Sequence, residues 1–199
     1  MTPFPPSTDA QVALTQALAH FDVPGVILAL NQGANPNGYD GSGHTPLTYC
    51  AQISGSRQRA HEMMDTLLLH GADLETFNNH ARTPLMQAAR AGVLPTVQWL
   101  LEKGANPMTA RPAGWTAAMN ACNSGEHDTV AMLIQAGGWK PGMTNLMNEK
   151  LEDMVSRLST EQQDAIHRAM EHFLIEQSAQ ALDHATHQTK SQRTQPRRM

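Results

Sequence analysis

The chain has 199 residues, 40% of them hydrophobic, and a formal net charge of −4, enough apolar material for one domain or one short repeat array. Lys190, Arg193, Arg197 and Arg198 put positive charge into the last ten residues, so the remainder is more acidic than the total and lacks the basic stripe that nucleic acid requires. No run of eighteen apolar residues, no basic start before an apolar stretch and only two cysteines point to a cytoplasmic protein with no membrane span, cleavable signal or disulfide framework.

In chain order, residues 1–7 are Pro-rich and read as an extended N-terminus. Thr8 with Gln11 makes a capping-box signal for a first helix through about Ala19. Pro24 opens a second helix whose apolar face is Val26, Ile27 and Leu30, closed at Gly33-Ala34. A second unit starts at Thr45-Pro46-Leu47 and ends at Gly71-Ala72. A third runs from Thr83-Pro84-Leu85 through a turn at Gly92 and a new start at Pro95 to Gly104-Ala105. In that third unit Val97, Leu100 and Leu101 form the apolar stripe. A fourth starts at Thr116 and closes at Gly137-Gly138.

The threonines are spaced by 38 and then 33 residues, and the closing glycines by 38, 33 and 33. One five-residue insertion therefore lies in the second unit, expected within residues 54–60 as an enlarged turn between its two helices. Beyond Gly138 the repeat fails, since Glu149 stands where the next Thr belongs. The helical period persists in Leu151, Met154, Val155 and Leu158, and again in Ile166, Met170, Phe173 and Leu174. Two helices over residues 144–158 and 161–182 are expected there, followed by a disordered basic tail.

A unit of about 33 residues holding two short apolar stripes cannot bury them alone and needs neighbours. The period, the TPL starts and the Gly-Ala ends, carried by TPLTYCA (45–51), TPLMQAA (83–89) and TAAMNAC (116–122), resemble the ankyrin repeat family. The resemblance departs where Thr48, Met86 and Met119 replace the usual His, where Ala117-Ala118 replace Pro-Leu, and at Gly138. It implies an all-α solenoid of helix-turn-helix units with hairpin loops. The repeats span 8–138 (8–37 as entry cap, then 38–75, 76–108 and 109–138), followed by a C-terminal helical cap over 139–185 and the tail over 186–199.

Candidate chemistry is sparse. The ten histidines are scattered without a zinc-binding spacing, so no metal or other cofactor is expected. Cys50 and Cys122 occupy small-residue positions of inner helices two units apart, which suits buried thiols and forbids a disulfide. No nucleophile stands beside a base, and the residues point away from an enzyme. The alternative kept open is an enzyme with a metal site built from His167, His172 or His184.

Function therefore falls to the surface. The resemblance implies a concave strip of hairpin tips and inner-helix ends that binds another protein. The motif carries that strip onto Tyr39, Ser42, His44 and Gln52, then Phe77, Asn79, His80, Arg82 and Arg90, then Arg111, Trp115 and Asn123. Aromatic and Arg residues dominate protein interfaces, and these arginines favour a partner with an acidic or mixed patch. The expectation is a protein that is monomeric before binding and acts as an inhibitor, an antitoxin-like partner, an adaptor or a delivered effector.

Overall fold

The structure, a computed structural model, describes residues 9–54 and 57–193. The extended N-terminus, the Thr8 cap and the last six residues of the tail lie outside them. Ten helices follow one another: α1 Asp9–Ala19, α2 Val23–Asn31, α3 Pro46–Ala51, α4 Arg57–Leu69, α5 Pro84–Arg90, α6 Leu94–Glu102, α7 Ala117–Asn123, α8 His127–Gln135, α9 Leu151–Val155 and α10 Thr160–Arg193. Among the described residues the sheet-type pairing is one isolated antiparallel bridge between Thr144 and Lys150.

The repeated sequence acts locally first. Thr45, Thr83 and Thr116 sit in extended backbone, and each Oγ1 accepts the N–H three residues on, from Thr48 (3.2 Å), Met86 (3.3 Å) and Met119 (3.4 Å). Such a cap is worth about 1 kcal/mol. Pro46 and Pro84 follow at positions where a missing N–H leaves no carbonyl unpaired. At the other end of each unit Gly33, Gly71, Gly104 and Gly137 take φ of 92°, 87°, 94° and 84°. That left-handed residue turns the chain so that the next N–H returns to the helix, as Ala105 does to the Leu100 carbonyl at 2.9 Å.

Stacking then buries what each unit exposes. The inner helices α3, α5, α7 and α9 form one row, and α2, α4, α6, α8 and α10 pack behind them. Inner helices approach closely because Cys50, Ala51, Ala88, Ala89, Ala121 and Cys122 face their neighbours and are all buried. Leu47, Leu85, Leu67, Leu100 and Leu133 fill the space between the rows and are at most 1% exposed. Thr48, Met86 and Met119, at the positions where the resemblance leads one to expect His, are also fully packed; Thr48 Oγ1 donates to the Thr45 carbonyl at 2.9 Å, whereas Met86 and Met119 contribute volume alone.

Four expectations are corrected. The insertion does not mainly enlarge a turn: Arg57, Gln58, Arg59 and Ala60 extend α4 to 13 residues, against 9 in α6 and α8. Ile27 lies outside the apolar face of α2, with 40% of its surface exposed, because Val26, Ala29 and Leu30 take the core side. Residues 144–150 form a further hairpin closed by the Thr144–Lys150 bridge, which shortens the expected first C-terminal helix to the five residues of α9. The end of the array is thus a degenerate fifth unit, with Lys150 in place of the capping Thr and its N–H donating to Asp153 Oδ2 at 3.3 Å. Finally, α10 continues to Arg193, past the expected end near residue 182. Its first half seals the array through Ile166, Ala169, Met170 and Phe173, with Trp139 edge-on to Phe173 at 6.3 Å.

Candidate protein-binding surface

Each hairpin is built by one residue that closes its own turn. In the first, the Asp40 N–H donates to the His44 carbonyl, and Asp40 Oδ1 accepts from Ser42 N and His44 N at 2.8 Å each. Asn78 repeats this with His80 N and Arg82 N at 2.9 and 3.0 Å, and Asn145 with Met147 N and Glu149 N at 2.9 and 3.0 Å. The third hairpin keeps the backbone bond, Arg111 N to the Trp115 carbonyl at 3.1 Å. Its capping position, however, is held by arginine, which has no acceptor to offer. Among the described residues the N–H groups of Ala113 and Trp115 have no hydrogen-bond acceptor.

Neighbouring hairpins are tied edge to edge. Asn79 donates from its backbone to Gly43 O and from Nδ2 to Ser42 O, both at 2.9 Å, and Leu146 N donates to Ala113 O at 3.0 Å. At the seam between hairpins 78–82 and 111–115 the corresponding donor position is Pro112, and among the described residues no backbone hydrogen bond joins the two tips.

On this frame the residues singled out by the sequence fall as follows. Tyr39 is 39% exposed, and its hydroxyl donates to the Phe77 carbonyl at 3.1 Å. Phe77 is half-buried against the core, Ser42 and Asn79 are exposed, and His44 meets His80 edge-on at 6.3 Å. Gln52 accepts from Gln87 Nε2 at 3.0 Å, a contact between inner helices that the motif alone did not flag. Asn123 is exposed at the end of α7 and makes no hydrogen bond to the others. Trp115 is a correction: it is only 8% exposed, lies beneath Arg111 with the guanidinium 5.0 Å from its ring centroid, and is a support for that cation rather than a surface anchor.

The three arginines come together. Burial holds the Arg82 guanidinium below its ordinary range, and repulsion from Arg90 and Arg111 lowers it further. None of the three has an ion pair among the described residues. One cation at the end of the outer helix α6 is paired. There Lys103 pairs with Asp65 and lies 5.1 Å from the Trp99 ring centroid, while His61 stacks on that ring at 5.4 Å and meets Thr96 Oγ1 at 3.2 Å.

Burial pushes the Cys50 thiol up to about 12 and the Cys122 thiol up to about 11, so neither supplies a thiolate at neutral pH. Among the described residues no group of three His, Cys, Asp or Glu is placed to hold a metal ion. His167 and His172 lie exposed on α10, the latter beside Glu176. Among the same residues no helix is long and apolar enough to cross a membrane.

Comparison with known proteins agrees with this geometry. Residues 14–111 match the family model described as ankyrin repeats (3 copies). The human B-cell lymphoma 3 protein is 27% identical over 135 residues, covering 66% of this chain and 29% of that one. The putative E3 ubiquitin-protein ligase XBAT34 of Arabidopsis thaliana is 31% identical over 97 residues, covering 48% of this chain and 25% of that one. The chain therefore spans less than a third of the length of either relative.

Proposed function

We propose that this chain, which belongs to the ankyrin repeat family through residues 14–111, is a non-catalytic module that binds another protein on the face formed by its hairpins and inner-helix ends. Protein–protein interaction is the general use of this architecture. The finer reading is that the partner presents an acidic patch to Arg82, Arg90 and Arg111, as an inhibited enzyme or an adaptor's target would. One observation carries it: those three cations have no ion pair among the described residues, and Arg82 feels both of the others, whereas Lys103 has its carboxylate. A preformed face binds with little backbone change.

The test is photo-crosslinking of captured partner to the full chain, with the crosslinking residue placed at Ser42 or Asn79 on this face, or at Gln98, which is exposed on α6. Crosslinks from positions 42 and 79 and none from 98 are expected. The reverse pattern sinks the reading.

A further inference from the structure

Hydrogen-bond donors without acceptors accumulate at one place in the array, the seam between hairpins 78–82 and 111–115. Asn78 Nδ2, Arg82 Nε, Arg111 Nε and Trp115 Nε1 are all buried with no partner. The turn N–H groups of Ala113 and Trp115 are unpaired as well, because Arg111 stands where Asp40, Asn78 and Asn145 provide the capping oxygen in the other three turns. Two buried side-chain acceptors without a partner stand near these hairpins in sequence, Glu75 Oε2, whose other oxygen accepts from Asn106 N at 2.8 Å, and Gln87 Oε1. The Gln87 amide already donates from Nε2 to Gln52. Buried polar groups are nearly always paired, so a local excess of one kind is an unmet demand for its complement.

Charge points the same way. Arg90 and Arg111 both repel Arg82, none of the three has an ion pair among the described residues, and Pro112 has removed the backbone bond that would otherwise hold the two tips together. Glu75 joins the two units at the base of the loops, through Asn106 N, while among the described residues the hairpin tips themselves lack an ion pair and a cross-link. We propose that the seam is a subsite for a doubly charged tetrahedral oxyanion, presented by the partner as a phosphorylated side chain. This rests on the protein-binding reading above and specifies what one part of that face recognises.

A carboxylate fits less well. It brings one negative charge and two oxygens in a plane, which satisfies one guanidinium fork and leaves the other two arginines repelling each other. A phosphate ester brings about −1.5 to −2 charge at neutral pH and three acceptor oxygens, enough to meet forks from both sides of the seam. Arg111 is already held over the Trp115 ring, which leaves it fewer conformations to lose. Binding as proposed requires the buried Nε edges of Arg82 and Arg111 to turn outward to the phosphate. The bound phosphate then replaces the missing bond between the tips.

Two measurements on the full chain test this. In proton–nitrogen spectra, inorganic phosphate is titrated against sodium chloride at equal ionic strength. The Trp115 indole and the Nε–H signals of Arg82 and Arg111 are expected to shift along a saturating curve, while Trp99 stays in place. Arg82→Gln combined with Arg111→Gln should abolish that curve without moving the urea unfolding midpoint.

In the second measurement, degenerate peptide libraries with a fixed central phosphoserine, serine or aspartate are compared by anisotropy. At least tenfold tighter binding of the phosphoserine library is expected, with a loss of tenfold or more in the double variant. Equal binding of the aspartate library overturns the phosphate assignment. Saturation by inorganic phosphate with no library preference overturns its delivery by a partner, and no saturation overturns the subsite. If crosslinks from positions 42 and 79 persist in any of these cases, the binding face stands and the subsite alone is lost.

Discussion

Leu85→Ala is expected to destabilise the protein by about 3 kcal/mol, read as a lowered urea midpoint. Leu85 is 1% exposed on α5, the inner helix that packs against both α3 and α7. Truncation removes three carbons from a site with no room to collapse, since its neighbours Ala88 and Ala89 are already small and fully buried. The loss is a large share of the roughly 5–15 kcal/mol that holds a domain together. Position matters too: in a linear array each unit is stabilised mainly by its two neighbours, so a weakened middle repeat uncouples the ends. Leu69→Ala provides the contrast. Leu69 closes α4 with 86% of its surface exposed, and its removal should shift stability by no more than about 0.5 kcal/mol.

Charge reversal on the hairpin side is expected to have the largest effect on binding. Arg82→Glu with Arg90→Glu should weaken capture of the partner by 100-fold or more, because two attractive contacts to an acidic patch become repulsive ones. The fold should tolerate it. Arg82 is held in its charged form against burial and against repulsion from Arg90 and Arg111, and a glutamate there faces Arg111 with the favourable sign. An unchanged thermal midpoint with binding lost separates recognition from folding. Unaltered binding by a folded double variant would remove these arginines from the interface.

The fold was legible because its determinants are local and repeated. Thr83, Pro84, Gly92 and Gly104 each act through backbone geometry that a sequence displays, and the period reports that units stack. Two features hid for different reasons. Arg57, Gln58, Arg59 and Ala60 have good helix propensity, and whether they loop out or lengthen α4 depends on packing that no local signal carries. The fifth unit hid because Lys150 and Asp153 take over the start of the short helix from a Thr cap, so the motif was absent while the geometry persisted.

The surface was legible in part. Arg82, Arg90 and Arg111 were marked by their place in the motif, but the sequence gives no burial, and Trp115 proved to lie beneath Arg111 instead of facing outward. The signal for the unusual third hairpin was present all along. Aligning Asp40, Asn78, Arg111 and Asn145 shows a capping residue replaced by a cation, with Pro112 beside it.

Amide hydrogen exchange of the full chain, free and with its captured partner, tests the central claim most directly. Slowed exchange on binding is expected in the hairpins at residues 39–44, 77–82 and 111–115 and at the ends of α3 and α5, with α4, α6 and α8 unchanged. Protection confined to those outer helices, or to α10, with the hairpins exchanging as in the free protein, would contradict it.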